Sequence, residues 1–178
     1  MSSIKKFSSG GLFIWEFLKK PREIGSLTPS SRHLAEAVAL AVSTLPKTDV
    51  LQIGAGTGVI TKFLPKECLT VIEINESLAT RLSNQFPELK IINECGVDRL
   101  SKIGTEFGCV ITIPLINNPS APDFIRRLQS LRRKKLLKWC VIYSYGSSSP
   151  LQEVDFEFCK ASKLVWKNLP PARVWTYW

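Results

Sequence analysis

Three glycines stand at every second position, Gly54, Gly56 and Gly58, just after the apolar run Val50-Leu51-Gln52-Ile53. Glu73 closes the next apolar run, 15 residues beyond Gly58. Glycine after a strand permits a tight turn and lets a ligand approach backbone N–H groups. A carboxylate at the tip of the second strand can accept hydrogen bonds from both hydroxyls of a ribose. The order strand, glycine strip (with Ala55 and Thr57 between the glycines), helix, strand and acid predicts a pocket for a nucleoside-containing ligand. The dinucleotide spacing G-x-G-x-x-G is absent, because a single residue separates Gly56 from Gly58.

These groups need a scaffold. Apolar runs at 49–53, 68–73, 89–92, 107–113 and 138–144 predict strands, and 57–64, 75–86, 97–103 and 121–133 predict helices. Strands alternating with helices imply an α/β fold, a mostly parallel sheet covered on both faces. After Tyr145 the rhythm changes. "VDFEFCKASKLVWK" and "ARVWTYW", joined through "NLPP", predict a closing antiparallel strand pair. Ahead of the sheet, Leu12 to Lys20 predicts a short helix stopped by Pro21, and a second helix begins with Ser30 or Ser31 as its N-cap. The 178 residues form one domain, with 1–45 as N-terminal helices or lid over a core at 46–178.

The formal net charge is +9, which points to an anionic partner, either a membrane surface or nucleic acid. Five scattered cysteines without C-x-x-C spacing, and a single histidine, His33, argue against a disulfide framework or a metal site and for a reducing cytoplasm. His33 is expected to face solvent. No apolar run approaches the ~20 residues needed to cross a bilayer. The patch "GLFIWEFL" contains Glu16 and is followed by no small-residue cleavage site, so a signal peptide is rejected. Bulky apolar residues among Lys5, Lys6, Lys19, Lys20 and Arg22 instead fit an interfacial helix. From Arg126 to Lys138 seven basic residues occur with no acid, a further candidate for anionic lipid.

The tight G-x-G-x-G strip with two closing antiparallel strands resembles the class I S-adenosylmethionine-dependent methyltransferases. Three more segments, "FLKKPREIGSLTPSSRHLA", "VIYSYGSSSP" and "NLPPARVWTY", resemble the bacterial phospholipid N-methyltransferases over Phe17 to Tyr177. That resemblance implies a Rossmann-like seven-stranded fold with S-adenosyl-L-methionine at the strand C-termini. It also implies a phosphatidylethanolamine-type acceptor and peripheral attachment to the inner face of the membrane. Gln52, Gly54, Ala55, Gly56, Thr57, Gly58, Glu73, Ile74, Cys95 and Ile113 would hold the cofactor. Tyr145 and Arg173 are the candidate catalytic residues. Ser30, Ser31 and Arg32 would bind a lipid phosphate, and Tyr143 and Trp175 would stack on a methylated cation.

Three positions depart from the family pattern. Gln52 replaces the acid two residues before the strip, Cys95 stands where an aspartate would meet the adenine amino group, and Thr112-Ile113-Pro114 replaces glycine-leucine-proline. Glu94 or Asp98 could serve in place of the missing aspartate. The departures raise an alternative, a non-catalytic lipid- or protein-binding module on a methyltransferase scaffold. The related ribosomal RNA adenine dimethyltransferases share the core and supply another. Their asparagine before the proline and aromatic after it are missing from "TIPLINNP".

Overall fold

The computed structural model describes residues 30–113, 115, 118–145 and 147–178. The expected interfacial helix at 12–20, most of the expected lid and Pro114 lie outside the described residues. In chain order the elements are α1 (Arg32–Ser43), β1 (Asp49–Ile53), a 3-10 turn (Thr61–Phe63), β2 (Leu69–Glu73), α2 (Glu76–Gln85), β3 (Lys90–Asn93), α3 (Gly96–Ser101), β4 (Phe107–Ile111), α4 (Ala121–Arg133), β5 (Leu137–Ser144), β6 (Cys159–Ala161) and β7 (Arg173–Tyr177).

The seven strands form one sheet in the order β3-β2-β1-β4-β5-β7-β6. The first five are parallel, and β7 runs antiparallel to both β5 and β6. The expected α/β sheet with a closing antiparallel pair is therefore present. Strands buried on both faces need apolar residues throughout, and β4, "FGCVI", is buried at every position. Successive residues point to opposite faces. Val50 joins the layer built by Leu34, Val38, Leu82 and Phe86, whereas Leu51 and Ile53 join Leu100, Phe124 and Leu128 on the other side. Thus α1 and α2 cover one face, and α3 and α4 the other. Helix α1 buries Leu34, Ala35, Val38 and Val42, the spacing of a single helical stripe.

Two expected elements are shorter than their patterns. The helix at 57–64 is only the turn Thr61–Phe63, because Leu64 precedes Pro65 and takes the extended conformation (ψ 151°) that a following proline favours. The penultimate strand pairs only over Cys159–Ala161. Beyond it the Ser162 hydroxyl accepts the Val174 N–H at 2.9 Å, and a single bridge, Val165 to Ala172, closes the turn.

Candidate cofactor and acceptor site

The sheet reverses its winding between β1 and β4, so a crevice opens where their C-terminal ends separate. The glycine strip leaves β1 at that point. Gly54, Gly56 and Gly58 have φ of +79°, +58° and +82°, in the left-handed region that suits glycine. Their surroundings differ. A Cβ on Gly54 would lie 2.1 Å from Ile113 Cγ2, and one on Gly58 would lie 2.7 Å from Leu82 Cδ2, so these two glycines admit packed neighbours. A Cβ on Gly56 would meet nothing within 4 Å. The bare main chain facing open space is therefore at Gly56.

Glu73, at the end of β2, is 6% exposed and turned toward the strip. One carboxylate oxygen accepts the Gly56 N–H at 2.8 Å and the other the Asn75 N–H at 2.9 Å. An ionised carboxylate offers about four lone-pair sites, so acceptor capacity is left for a diol. Beside it lies a hollow of about 200 Å³ lined by Gly54, Ile74, Glu94, Cys95, Ile113 and Phe124 among others. Ile74 is 69% exposed and forms a wall of the hollow. The Cys95 side chain makes no capping bond although it occupies the N-cap of α3. Glu94, one of the two suggested substitutes for the missing aspartate, lines the hollow and is ion-paired to Lys102. Asp98 sits exposed in the first turn of α3.

A second group of residues gathers at the C-terminal end of β5. Ser31 is the N-cap of α1 and accepts the Leu34 N–H at 3.2 Å. Its own N–H donates to Asn168 Oδ1 at 2.8 Å. The Ser30 hydroxyl donates to Tyr143 OH at 3.5 Å, and Tyr143 meets Tyr145 edge-on with ring centroids 5.9 Å apart. Arg173 pairs in register with Ser144 at this same end. Segments far apart in the chain, around residues 30, 144 and 170, thus form one edge. Asn168 is the buried link, 3% exposed, and its amide also donates to Pro170 O at 2.7 Å. Asn168→Ala removes both bonds and leaves a partly buried N–H at Ser31 unpartnered. It is expected to cost about 2 kcal/mol, a fall in Tm of about 4–8 °C by thermal denaturation.

The phenol of Tyr145 titrates well above its ordinary value, through burial first and then the neighbouring Tyr143. Tyr177 is also raised, again chiefly by burial. A raised phenol favours the folded state up to the unfolded value of about 10, and that stabilisation is lost as pH rises further toward the folded value. Of the three tyrosines, two are expected to form tyrosinate only together with alkaline unfolding. Ultraviolet absorbance and circular dichroism followed over one pH series check this. Tyr145→Phe is expected to move the alkaline unfolding to higher pH.

The remaining expected residues do not line the hollow. Gln52 is completely buried and its carbonyl accepts the Thr61 hydroxyl at 2.8 Å, so it supports the turn beneath the strip and does not line the hollow. Trp175 was expected to stack beside Tyr143. It is 8% exposed, belongs to the opposite face of the sheet with Ile142, and donates its indole N–H to Ser144 Oγ at 2.9 Å. Arg32 makes an exposed ion pair with Glu36, one helical turn on, at 2.7 Å. Ala55 is buried, Thr57 is exposed within the strip, and His33 is exposed on α1. The role of Thr112 was not foreseen. Its N–H donates to Ile53 O at 2.9 Å and its hydroxyl lies 2.6 Å from Gly54 O, tying the tips of β1 and β4 together. A hydroxyl residue at the end of a buried strand was the signal for it. A larger hollow of about 330 Å³ lies at the opposite, N-terminal edge of the strands, where Lys66, Lys90 and Arg99 face Asp49, Glu67 and Glu88. Its charges balance, and neither the strip nor Glu73 reaches it. Among the described residues no group of three His, Cys, Asp or Glu could hold a metal ion, and no helix is long and apolar enough to cross a membrane.

The sheet order, the strip at the switch point and the antiparallel closing strands define the Rossmann-like fold of the class I methyltransferases. Solved structures of this fold include the 23S rRNA methyltransferase ErmE (16% identity, 79% of this chain and 66% of that one, TM-score 0.55). Another is magnesium protoporphyrin IX methyltransferase (ChlM) from Synechocystis PCC 6803 with bound SAM (11% identity, 98% and 99%, TM-score 0.53). In sequence, the chain is 34% identical over 73 residues to Ribosomal RNA small subunit methyltransferase A of Chlorobium chlorochromatii (strain CaD3). That match takes in 40% of this chain and 28% of the relative, so the chain spans under a third of the curated protein it matches. No family model matches.

Proposed function

We propose that the chain is an S-adenosylmethionine-dependent methyltransferase acting on a nitrogen acceptor. One observation carries this reading: the Glu73 carboxylate is bonded to the bare Gly56 main chain at 2.8 Å, beside a hollow walled by Ile74, Cys95 and Ile113. Open space at Gly56 suits the ribose and amino-acid portion of the cofactor, Glu73 the ribose hydroxyls, and the apolar hollow the adenine ring. Glu94 is the acceptor available to the adenine amino group. When bound, the cofactor supplies an electrophilic methyl group on a sulfonium sulfur. The protein's work is alignment of donor and acceptor. Tyr145, neutral and half-buried, holds the acceptor by a hydrogen bond, and Tyr143 offers a ring face to a cationic product. An amine must arrive neutral, and its proton can pass to water at this open edge. Gln52, bonded to Thr61, stiffens the strip from below.

Two acceptors have support. An adenine of ribosomal RNA is favoured by the relatives, which include methyltransferases of small-subunit and 23S ribosomal RNA. A phospholipid amine is favoured by this chain's own acceptor edge. There the Ser31–Asn168 bond joins the two segments that most resemble the phospholipid enzymes. Isothermal titration with S-adenosylhomocysteine tests the cofactor assignment, and a folded protein that does not bind it rejects the enzyme reading. Transfer of labelled methyl is then measured to small-subunit ribosomal RNA and to phosphatidylethanolamine vesicles. Label in one and not the other selects the acceptor. Label in neither, with the cofactor bound, rejects both.

A further inference from the structure

Two large apolar side chains stand in solvent at the acceptor edge. Trp166 is 75% exposed and Leu169 70%. Both belong to the turn between β6 and β7, which the Val165–Ala172 bridge closes. Because β7 runs antiparallel to β5 with Arg173 opposite Ser144, this turn projects past the end of β5 that carries Tyr143 and Tyr145. Asn168 lies between the two apolar residues and is 3% exposed, bonded to Ser31 on one side and Pro170 on the other. A buried polar residue therefore fastens the turn to the body of the protein while Trp166 and Leu169 are held outward. Lys163 and Lys167 are exposed in the same turn, and no acidic residue follows Glu157 in the sequence.

We propose that this turn is a docking element for an anionic phospholipid surface. Trp166 and Leu169 enter the headgroup layer, and Lys163 and Lys167 face the lipid phosphates. The acceptor edge then opens directly onto the bilayer. The proposal rests on the phospholipid reading of that edge. An amphipathic indole is suited to the headgroup level of a membrane, and each basic residue near an anionic surface adds to the attraction. Leu169 favours lipid over nucleic acid. A leucyl side chain has no ring to stack on an unpaired base and no charge for a phosphate, and it gains from leaving water for the acyl boundary. Two exposed apolar groups joined to cations in one pinned turn match a bilayer surface better than an RNA strand.

The test is co-sedimentation of the full chain with vesicles of phosphatidylglycerol and phosphatidylcholine. Wild type is expected to bind, more weakly at high salt and on phosphatidylcholine alone. Trp166→Ser/Leu169→Ser is expected to lower the vesicle partition constant about tenfold or more while leaving Tm unchanged. Lys163→Glu/Lys167→Glu is expected to lower it on the anionic vesicles only. Equal binding by wild type and the Trp166/Leu169 variant overturns the proposal, as does absence of wild-type binding. A clear fall in Tm of that variant overturns it too, since the two side chains would then be covered within the protein. If the variant instead loses binding to ribosomal RNA in a gel shift, with vesicle binding unaffected, the turn is a nucleic-acid contact and the proposal fails. Vesicle binding that depends on Trp166 and Leu169, without methyl transfer to phosphatidylethanolamine, upholds the docking element and rejects the lipid acceptor.

Discussion

Glu73→Ala is expected to weaken binding of S-adenosylhomocysteine about 100-fold, measured by isothermal titration. The carboxylate is the charged acceptor that the structure turns toward the strip, and its two oxygens already order the main chain at Gly56 and Asn75. A hydrogen bond to a charged group contributes about 1.5–3 kcal/mol, and two ribose hydroxyls would use its remaining lone pairs. At about 1.4 kcal/mol per tenfold, the loss of that pair of bonds at the lower end of this range corresponds to roughly two decades in Kd. Glu73→Gln keeps the size and one acceptor oxygen, so it is expected to fall between, near tenfold. A Tm recorded for each variant separates lost binding from lost folding. Unchanged affinity in both variants would mean that the ribose is held elsewhere, and the assignment of this crevice would fall with it.

The crevice was legible because its parts are local. Strand, strip, turn, strand and acid follow one another within residues 49–73, and the period of the apolar runs alone orders them. What eluded the sequence depends on register between distant strands. Tyr143 is near the end of β5 and Trp175 is on the closing strand β7, and both were expected at the site. The antiparallel register sets Trp175 opposite Ile142 and Val174 opposite Tyr143, which puts the two aromatics on opposite faces. No spacing within either strand encodes that choice. The burial of Gln52 beneath the strip eluded the sequence for a related reason. Its place two residues before the strip invited a ligand contact, yet the partner that claims its carbonyl, Thr61, sits in a turn that the sequence suggested was a regular helix. Asn168 lay in a recognisable segment, but its role as the link to Ser31 appears only when residues 137 apart are brought together.

The glycine strip also makes a prediction about stability that separates its members. Gly54→Ala is expected to cost about 2–5 kcal/mol: roughly 1–2 from an L-residue in the left-handed region, and about 1–3 from overpacking against Ile113. That corresponds to a fall in Tm of roughly 10 °C, measured by calorimetry. The overlap is severe because the new methyl would lie 2.1 Å from Ile113 Cγ2, at a point where Thr112 already binds the tips of β1 and β4 together. Gly56→Ala shares the positive φ but meets no atom within 4 Å. It is expected to lose only the conformational part, about 1–2 kcal/mol, while its methyl group occupies the space that a ligand would need. Adding Ile113→Ala to Gly54→Ala should recover the packing part and leave the conformational part, which a double-mutant cycle resolves. If Gly54→Ala proves no worse than Gly56→Ala, Ile113 does not rest on the strip. The hollow would then lack its wall on the β4 side, and the apolar slot assigned to an adenine ring would have to be redrawn.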